Sequence, residues 1–329
     1  MIGAPEAEPA STERVQWVPA VTFYLLACAL AWAIDLPLWI GGVALTSPLG
    51  ILLISASMYT PAAAAFFAVI VVQRTHGRAI LRRLGWWPIR PVRRTILLAV
   101  VGLIGSALLP IVTVFLAAAL GLTKLDLVNF SGFAHTLDAL LPVGTTLPIP
   151  VQLLAIIQLV EIPIGALINS LLTLGEETGW RGFLLPALRP LGTWPALVMS
   201  GAAWGLWHAP VILLGYNFAQ PNLYGLLLMI VGCIAYGILI GWLRIRSGNI
   251  WPSVIAHGAF NAAGGFSALV IAAGATANPA AVGPLGWVAW IVMAAVALVL
   301  ALTRQVPRKN AWPAVTSQRS AERQTELRA

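Results

Sequence analysis

Apolar residues recur along the chain in long runs, at about 17 to 41, 48 to 73, 95 to 120, 149 to 174, 194 to 215, 222 to 243, 251 to 273 and 283 to 303, with short polar stretches between them. A bilayer core needs roughly 20 helical residues, so the pattern predicts about eight membrane-spanning helices. Pro61, Pro110, Pro163 and Pro210 fall inside these runs. Transmembrane helices tolerate such residues where neighbouring groups re-satisfy the freed backbone. The fold class read from the pattern is therefore all-α, a polytopic integral membrane helical bundle. No internal repeat is visible, and 1–329 reads as a single membrane domain.

The polar stretches add detail. Between about 121 and 148, Phe133, Leu137, Leu140 and Leu141 share one face if the segment is helical, which predicts an interfacial helix. Residues 304–329 are rich in Arg, Gln, Ser and Glu and read as a disordered cytoplasmic tail. The first sixteen residues carry Glu6, Glu8 and Glu13 without a basic cluster before an apolar core, a poor match to a signal peptide.

Composition agrees with the pattern and narrows the function classes. With 59% hydrophobic and 9% charged residues and a mean hydropathy of +0.88, there is too little polar material to cover a soluble globule of 329 residues. Cys28 and Cys233 both lie in apolar runs, where a cysteine packs as a small hydrophobe and implies no disulfide. A net charge of +8 would suggest nucleic acid in a soluble protein. Its distribution points elsewhere. Arg74, Arg78, Arg82, Arg83, Arg90, Arg93 and Arg94 fill the second connection, Arg181 and Arg189 the fourth, and Arg244 and Arg246 the sixth, and more follow Arg304. Only Lys124 falls in an odd-numbered connection. Positive charge collects on the cytoplasmic side, so the expectation is an integral protein, of a bacterial plasma membrane by its Ala-, Arg- and Trp-rich composition, with both termini cytoplasmic and no nucleic-acid partner.

Seven ionisable residues lie within or at the ends of the runs: Asp35, Glu161, Glu176, Glu177, Arg181, His208 and His257. Such groups are costly near lipid and are functional candidates by default. Glu177 and Arg181 are four apart with the acid first, the favoured order for a helical ion pair. Glu176 is rotated about 100° from that pair and is left as the carboxylate available for chemistry. Trp204 shares a helical face with His208, as His257 does with Asn261, and the small Gly258 and Ala259 admit a close helix. Each of these pairs alone could be packing or a hydrogen bond between helices. Asp35 and Glu161 read as structural or site-lining acids, and Glu161 lies roughly 22 Å along the helix from Glu176. His76 and His135 fall in connections and are expected to be solvated.

In order and spacing, Glu176-Glu177 with Arg181, Trp204 with His208, and His257 with Asn261 resemble the Glu-Glu-x-x-x-Arg, Phe-x-x-x-His and His-x-x-x-Asn motifs of the CAAX-protease and bacteriocin-processing (CPBP, or Abi) family. This family of intramembrane proteases includes the type II CAAX prenyl endopeptidases, and the resemblance covers about 165 to 270. One departure is Trp204 in place of Phe, which adds bulk and an indole N–H. The resemblance implies peptide-bond hydrolysis in the membrane, with Glu176 and His208 activating water, His257 and Asn261 stabilising the oxyanion, and Glu177, Arg181 and Trp204 in support. The implied partners are the lipid bilayer and a membrane-tethered or lipidated substrate. No cofactor is required by that scheme; the alternative is zinc held by Glu176, His208 and His257, a two-histidine, one-carboxylate set. A non-proteolytic binding or bacteriocin-immunity protein on the same scaffold is the rival function.

Overall fold

The computed structural model describes residues 14–142, 148–306 and 312. Regular structure among them is helical, apart from one isolated bridge between Leu125 and Ile271. The principal helices are α1 (Trp17–Ile40), α2 (Pro48–Val72), α3 (Val92–Ala119), α4 (Ser131–Leu140), α5 (Val151–Val160), α6 (Ile162–Glu177), α7 (Thr193–Trp207), α8 (Leu223–Ser247), α9 (Trp251–Ala263) and α10 (Trp287–Leu302). Apart from 304–306 and Trp312, the expected tail lies outside the described residues.

Local sequence explains several boundaries. Ser47 Oγ accepts from Gly50 N at 3.1 Å and Pro48 occupies the first turn of α2, a pre-organised helix start. Asn222 Oδ1 accepts from Tyr224 N and Gly225 N at the head of α8. The far end of α8 closes on Gly248, whose left-handed φ of 79° lets its N–H donate to the Arg244 carbonyl.

Among the described residues, six helices are long and apolar enough to cross a membrane: α1, α2, α3, α8, α9 as far as Val270, and α10 with the short helix ahead of it from Pro279. α5 and the segment Ile162–Leu191 pass the same test only together and meet at 50°, as a broken span or a re-entrant loop does. The remaining apolar run, 194 to 215, folds as the 15-residue α7, and the chain then turns at His208 into a short helix, Ala209–Ile212. The segment expected to be interfacial contains α4.

Beside a large apolar core, small and polar residues also turn inward. On α3, Thr95, Gly102, Ser106 and Thr113 are buried while Ile96, Leu97, Ile104 and Phe115 are exposed. This inversion is what a lipid solvent selects, because the hydrophobic effect does not drive helices together there and small residues let backbones approach. The most extensive helix contacts are α3 with α9, α6 with α9 and α7 with α8. At the α7–α8 contact, a Cβ on Gly201 or Gly205 would run into the α8 backbone at Ile234 or Ile230. At α6–α9, a Cβ on Gly258 would meet the Ala166 carbonyl and Ser170. The α6–α9 contact joins two of the motif-bearing helices directly, and α8, which also packs on α9, brings α7 to them.

The ends of the bundle form two distinct faces. At one, Asp126 N donates to Val270 O, Ala272 N to Lys124 O, and Ala273 N to Ser131 Oγ, which ties the α3–α4 connection to the chain after α9. At the other, Ile250 N donates to Gly85 O, Trp86 Nε1 to Thr178 Oγ1, Arg244 Nε to Arg181 O, and Trp312 Nε1 to Thr193 Oγ1. The connections named in this second group carry nearly all of the arginines.

Candidate functional site

The helix carrying Glu176 and Glu177 does not stop there. It continues as a π-helical turn, Thr178–Leu184, into Leu185–Leu188, as a helix running towards Pro186 would. π turns are rare and recur at functional sites. Gly179 and Gly182 let this turn lie directly against Pro61 and the Leu84 carbonyl. All seven residues of the turn are buried, so the charges it carries are held inside protein.

Glu177 and Arg181 form the expected pair, Arg181 Nη1 donating to Glu177 Oε1 at 2.9 Å, with both residues at most 1% exposed. The same Oε1 also accepts from His257 Nδ1 at 3.0 Å. Glu177 thus joins two helices and fixes the ring orientation of His257, directing Nε2 away from the carboxylate. The Arg181 guanidinium lies 4.2 Å from the Trp204 ring centroid, so its positive charge is met by a carboxylate and an aromatic face together.

Glu176 faces differently. Its Oε2 accepts from Trp204 Nε1 at 2.6 Å, leaving Oε1 outside that bond. His208 Nδ1 donates to the Trp204 carbonyl at 2.8 Å; a carbonyl only accepts, so Nδ1 carries the proton and Nε2 is left as the acceptor of the neutral ring. The ring nearest His208 is Trp207, edge-on at 4.7 Å, whereas Trp204 is at 5.8 Å and stands edge-on to His257 at 5.1 Å. Trp204 therefore touches all three groups.

A cavity of about 920 Å³ is lined by Glu176, Trp204, His208, His257 and Asn261, whereas Glu177 and Arg181 lie outside its lining. The two adjacent acids are separated in this way, one towards the cavity and one behind it. The structure also brings in residues that sequence reasoning passed over or left in secondary roles. Tyr236 lines the cavity, stacks on Phe260 at 4.2 Å and anchors its hydroxyl on Ala256 O and Ser106 Oγ. No motif marked it. Asp35, 2% exposed and with Oδ1 lacking a hydrogen-bond partner, is a lining residue. Trp39, one turn further along α1, donates to Pro210 O at 2.9 Å and so fixes α1 beside the His208 turn. Glu161 is exposed at the α5–α6 bend and is not a lining residue. His76 is exposed as expected, and His135 is exposed at the cavity mouth.

As for the alternative zinc set, no three His, Cys, Asp or Glu side chains among the described residues stand in an arrangement that would hold a metal ion.

Fold and site together define an all-α integral membrane protein with a carboxylate, two histidines and an amide around one internal cavity. Residues 158–263 match the family model described as Type II CAAX prenyl endopeptidase Rce1-like. That segment contains every motif residue and leaves α1 to α4 and α10 outside. Over that segment the chain is similar to the CAAX-protease (CPBP) family, a likeness that supports protease activity in the membrane. No curated protein matches the chain.

Proposed function

We propose that the protein is a glutamate-dependent intramembrane endopeptidase that hydrolyses a peptide bond of a membrane-tethered substrate. The observation that carries this reading is the shared cavity: Glu176, His208, and the His257–Asn261 pair, from three separate helical segments of the chain, line one space large enough for a peptide segment.

The chemistry follows from the free atoms. A water held between Glu176 Oε1 and His208 Nε2 loses a proton to Glu176 as its oxygen attacks the scissile carbonyl carbon. The carbonyl oxygen becomes the oxyanion and accepts from the Asn261 amide and from His257 Nε2–H. For that role His257 is the imidazolium, with Glu177 as its counter-charge through Nδ1. Collapse of the tetrahedral intermediate breaks the C–N bond, and the proton passes to the leaving nitrogen, giving a carboxylic acid and an amine. Positioned acid–base groups of this kind contribute typically 10²–10⁴-fold, and each oxyanion donor about 10²–10³-fold.

Substrate trapping tests this reading. Glu176→Gln keeps size and most hydrogen bonding, so in native membranes it should accumulate an uncleaved protein that the wild type processes. Full biological activity of Glu176→Gln would favour the rival, a non-proteolytic membrane scaffold. Cleavage that depends on stoichiometric metal and stops with a chelator would replace the glutamate scheme with a metal-dependent one.

A further inference from the structure

Every connection that lines the cavity comes from one face of the bundle. The lining includes Leu45 between α1 and α2, His135 on α4, Asn217 between α7 and α8, and Ala273 between α9 and α10. None of the lining residues comes from 74–94, 185–192 or 244–250. The cavity therefore opens at the face held together by Lys124, Asp126, Ser131 and the 270–273 segment. The opposite face is sealed by Trp86, packed edge-on against Phe66 and Trp251, and by Arg244 under Gly85.

The two faces differ sharply in charge. The connections at the sealed face carry Arg74, Arg78, Arg82, Arg83, Arg90, Arg93, Arg94, Arg189 and Arg246, and Arg304 follows α10 there. The connections at the open face carry one basic residue, Lys124, against Asp126 and Asp138. Short loops rich in Lys and Arg stay cytoplasmic. We infer that the cavity opens on the extracytoplasmic side of the membrane, and that its substrates are peptide segments presented from that side: the outer ends of membrane-anchored chains or exported peptides lying on the outer leaflet.

This inference rests on the proposed peptidase activity for its substrate, but the orientation stands on lining and charge alone. It excludes a cytoplasmic lipidated C-terminus as the direct substrate of this chain, since such a segment would meet the sealed, arginine-rich face. The apolar lining contributed by α2, including Ile51, Ile54 and Met58, and the largely uncharged mouth suit an apolar segment close to the bilayer surface.

The test has two arms. With Cys28 and Cys233 replaced by Ala, single cysteines are placed at Val128, 74% exposed on the open face, and at Arg82 on the sealed face. In intact cells, a membrane-impermeant maleimide should label Val128→Cys, and should label Arg82→Cys only after permeabilisation. The reverse pattern overturns the inference. In the second arm, cells carry a membrane-anchored reporter with the same cleavable segment on either the outer or the inner side, with Glu176→Gln as the inactive control. Glu176-dependent cleavage of the outer reporter alone is expected, by at least 10-fold over the inner one. Cleavage of the inner reporter contradicts the inference. Outside labelling of Val128→Cys with purified enzyme that cleaves no peptide contradicts the peptidase reading while leaving the orientation intact.

Discussion

Removing the Glu177 carboxylate should unfold the protein at a lower temperature, and removing Arg181 as well should restore much of the loss. Glu177 Oε1 accepts from both Arg181 Nη1 and His257 Nδ1, and all three residues are at least nine-tenths buried. Glu177→Ala leaves a buried guanidinium without its carboxylate. Breaking a buried pair from one side costs about 3–5 kcal/mol, against a whole stability of about 5–15 kcal/mol. On the usual scaling this lowers the melting temperature by on the order of 10 °C. Replacing the pair with apolar groups avoids the unpaired charge, so Glu177→Met/Arg181→Met should recover at least half of that loss. Arg181 also lies over Trp204, a contact of about 2 kcal/mol when desolvated, which limits the recovery. The assay is thermal unfolding of the purified protein in one detergent, read by intrinsic tryptophan fluorescence. A loss below about 0.5 kcal/mol in Glu177→Ala, the range of ordinary surface substitutions, would refute the argument. So would a double variant no more stable than the single one.

Trp204→Phe keeps the ring but removes the donor 2.6 Å from Glu176 Oε2. Hydrogen bonds to charged groups contribute about 1.5–3 kcal/mol, so kcat should fall by about 10-fold or more with KM nearly unchanged, and steady-state kinetics on a tethered peptide would read it. Gly258→Val would push a side chain into the Ala166 carbonyl and Ser170. It should separate α6 from α9 and abolish activity through misplacement, which limited proteolysis and the melting temperature would report. Asp126, outside the spans, is held down to about 2 by the Ser131 hydroxyl and by the Asn129, Val128 and Ser131 amides. Its folded-state value lies below the ordinary 3.8, so its contribution is present above that value and disappears as pH falls through about 2. Protection of the Val128, Asn129 and Ser131 amides, taken as exchange relative to the intrinsic rate at each pH, should be high at pH 5 and fall towards pH 2, and Asp126→Ala should lack it at both.

Much of the bundle was legible in the sequence because lipid imposes length and polarity rules that apolar runs display directly. Six runs became helices long and apolar enough to span, and 149 to 174 a pair bent by 50°. The bend at Glu161 was harder to see, since an apolar run looks the same straight or bent. The 194 to 215 run is another such case: its helix ends at Trp207 as the chain turns at His208. Within the site, i, i+4 spacing conveyed which residues share a helical face. It could not convey partners across helices: that Glu177 holds His257, that Trp204 donates to Glu176, or that Asp35 and Tyr236 line the same cavity. Those contacts depend on crossing geometry between helices, which single-helix periodicity does not encode.

The central claim, hydrolysis directed by Glu176, is tested most directly in proteoliposomes. Purified wild-type and Glu176→Gln proteins are given a membrane-tethered peptide in water enriched in oxygen-18, and the products are read by mass spectrometry. The account predicts a cleaved peptide whose new carboxyl group carries oxygen-18, with Glu176→Gln slower by at least about 100-fold, the low end for a positioned acid–base group. Equal cleavage by the two proteins, or none by the wild type, would contradict it.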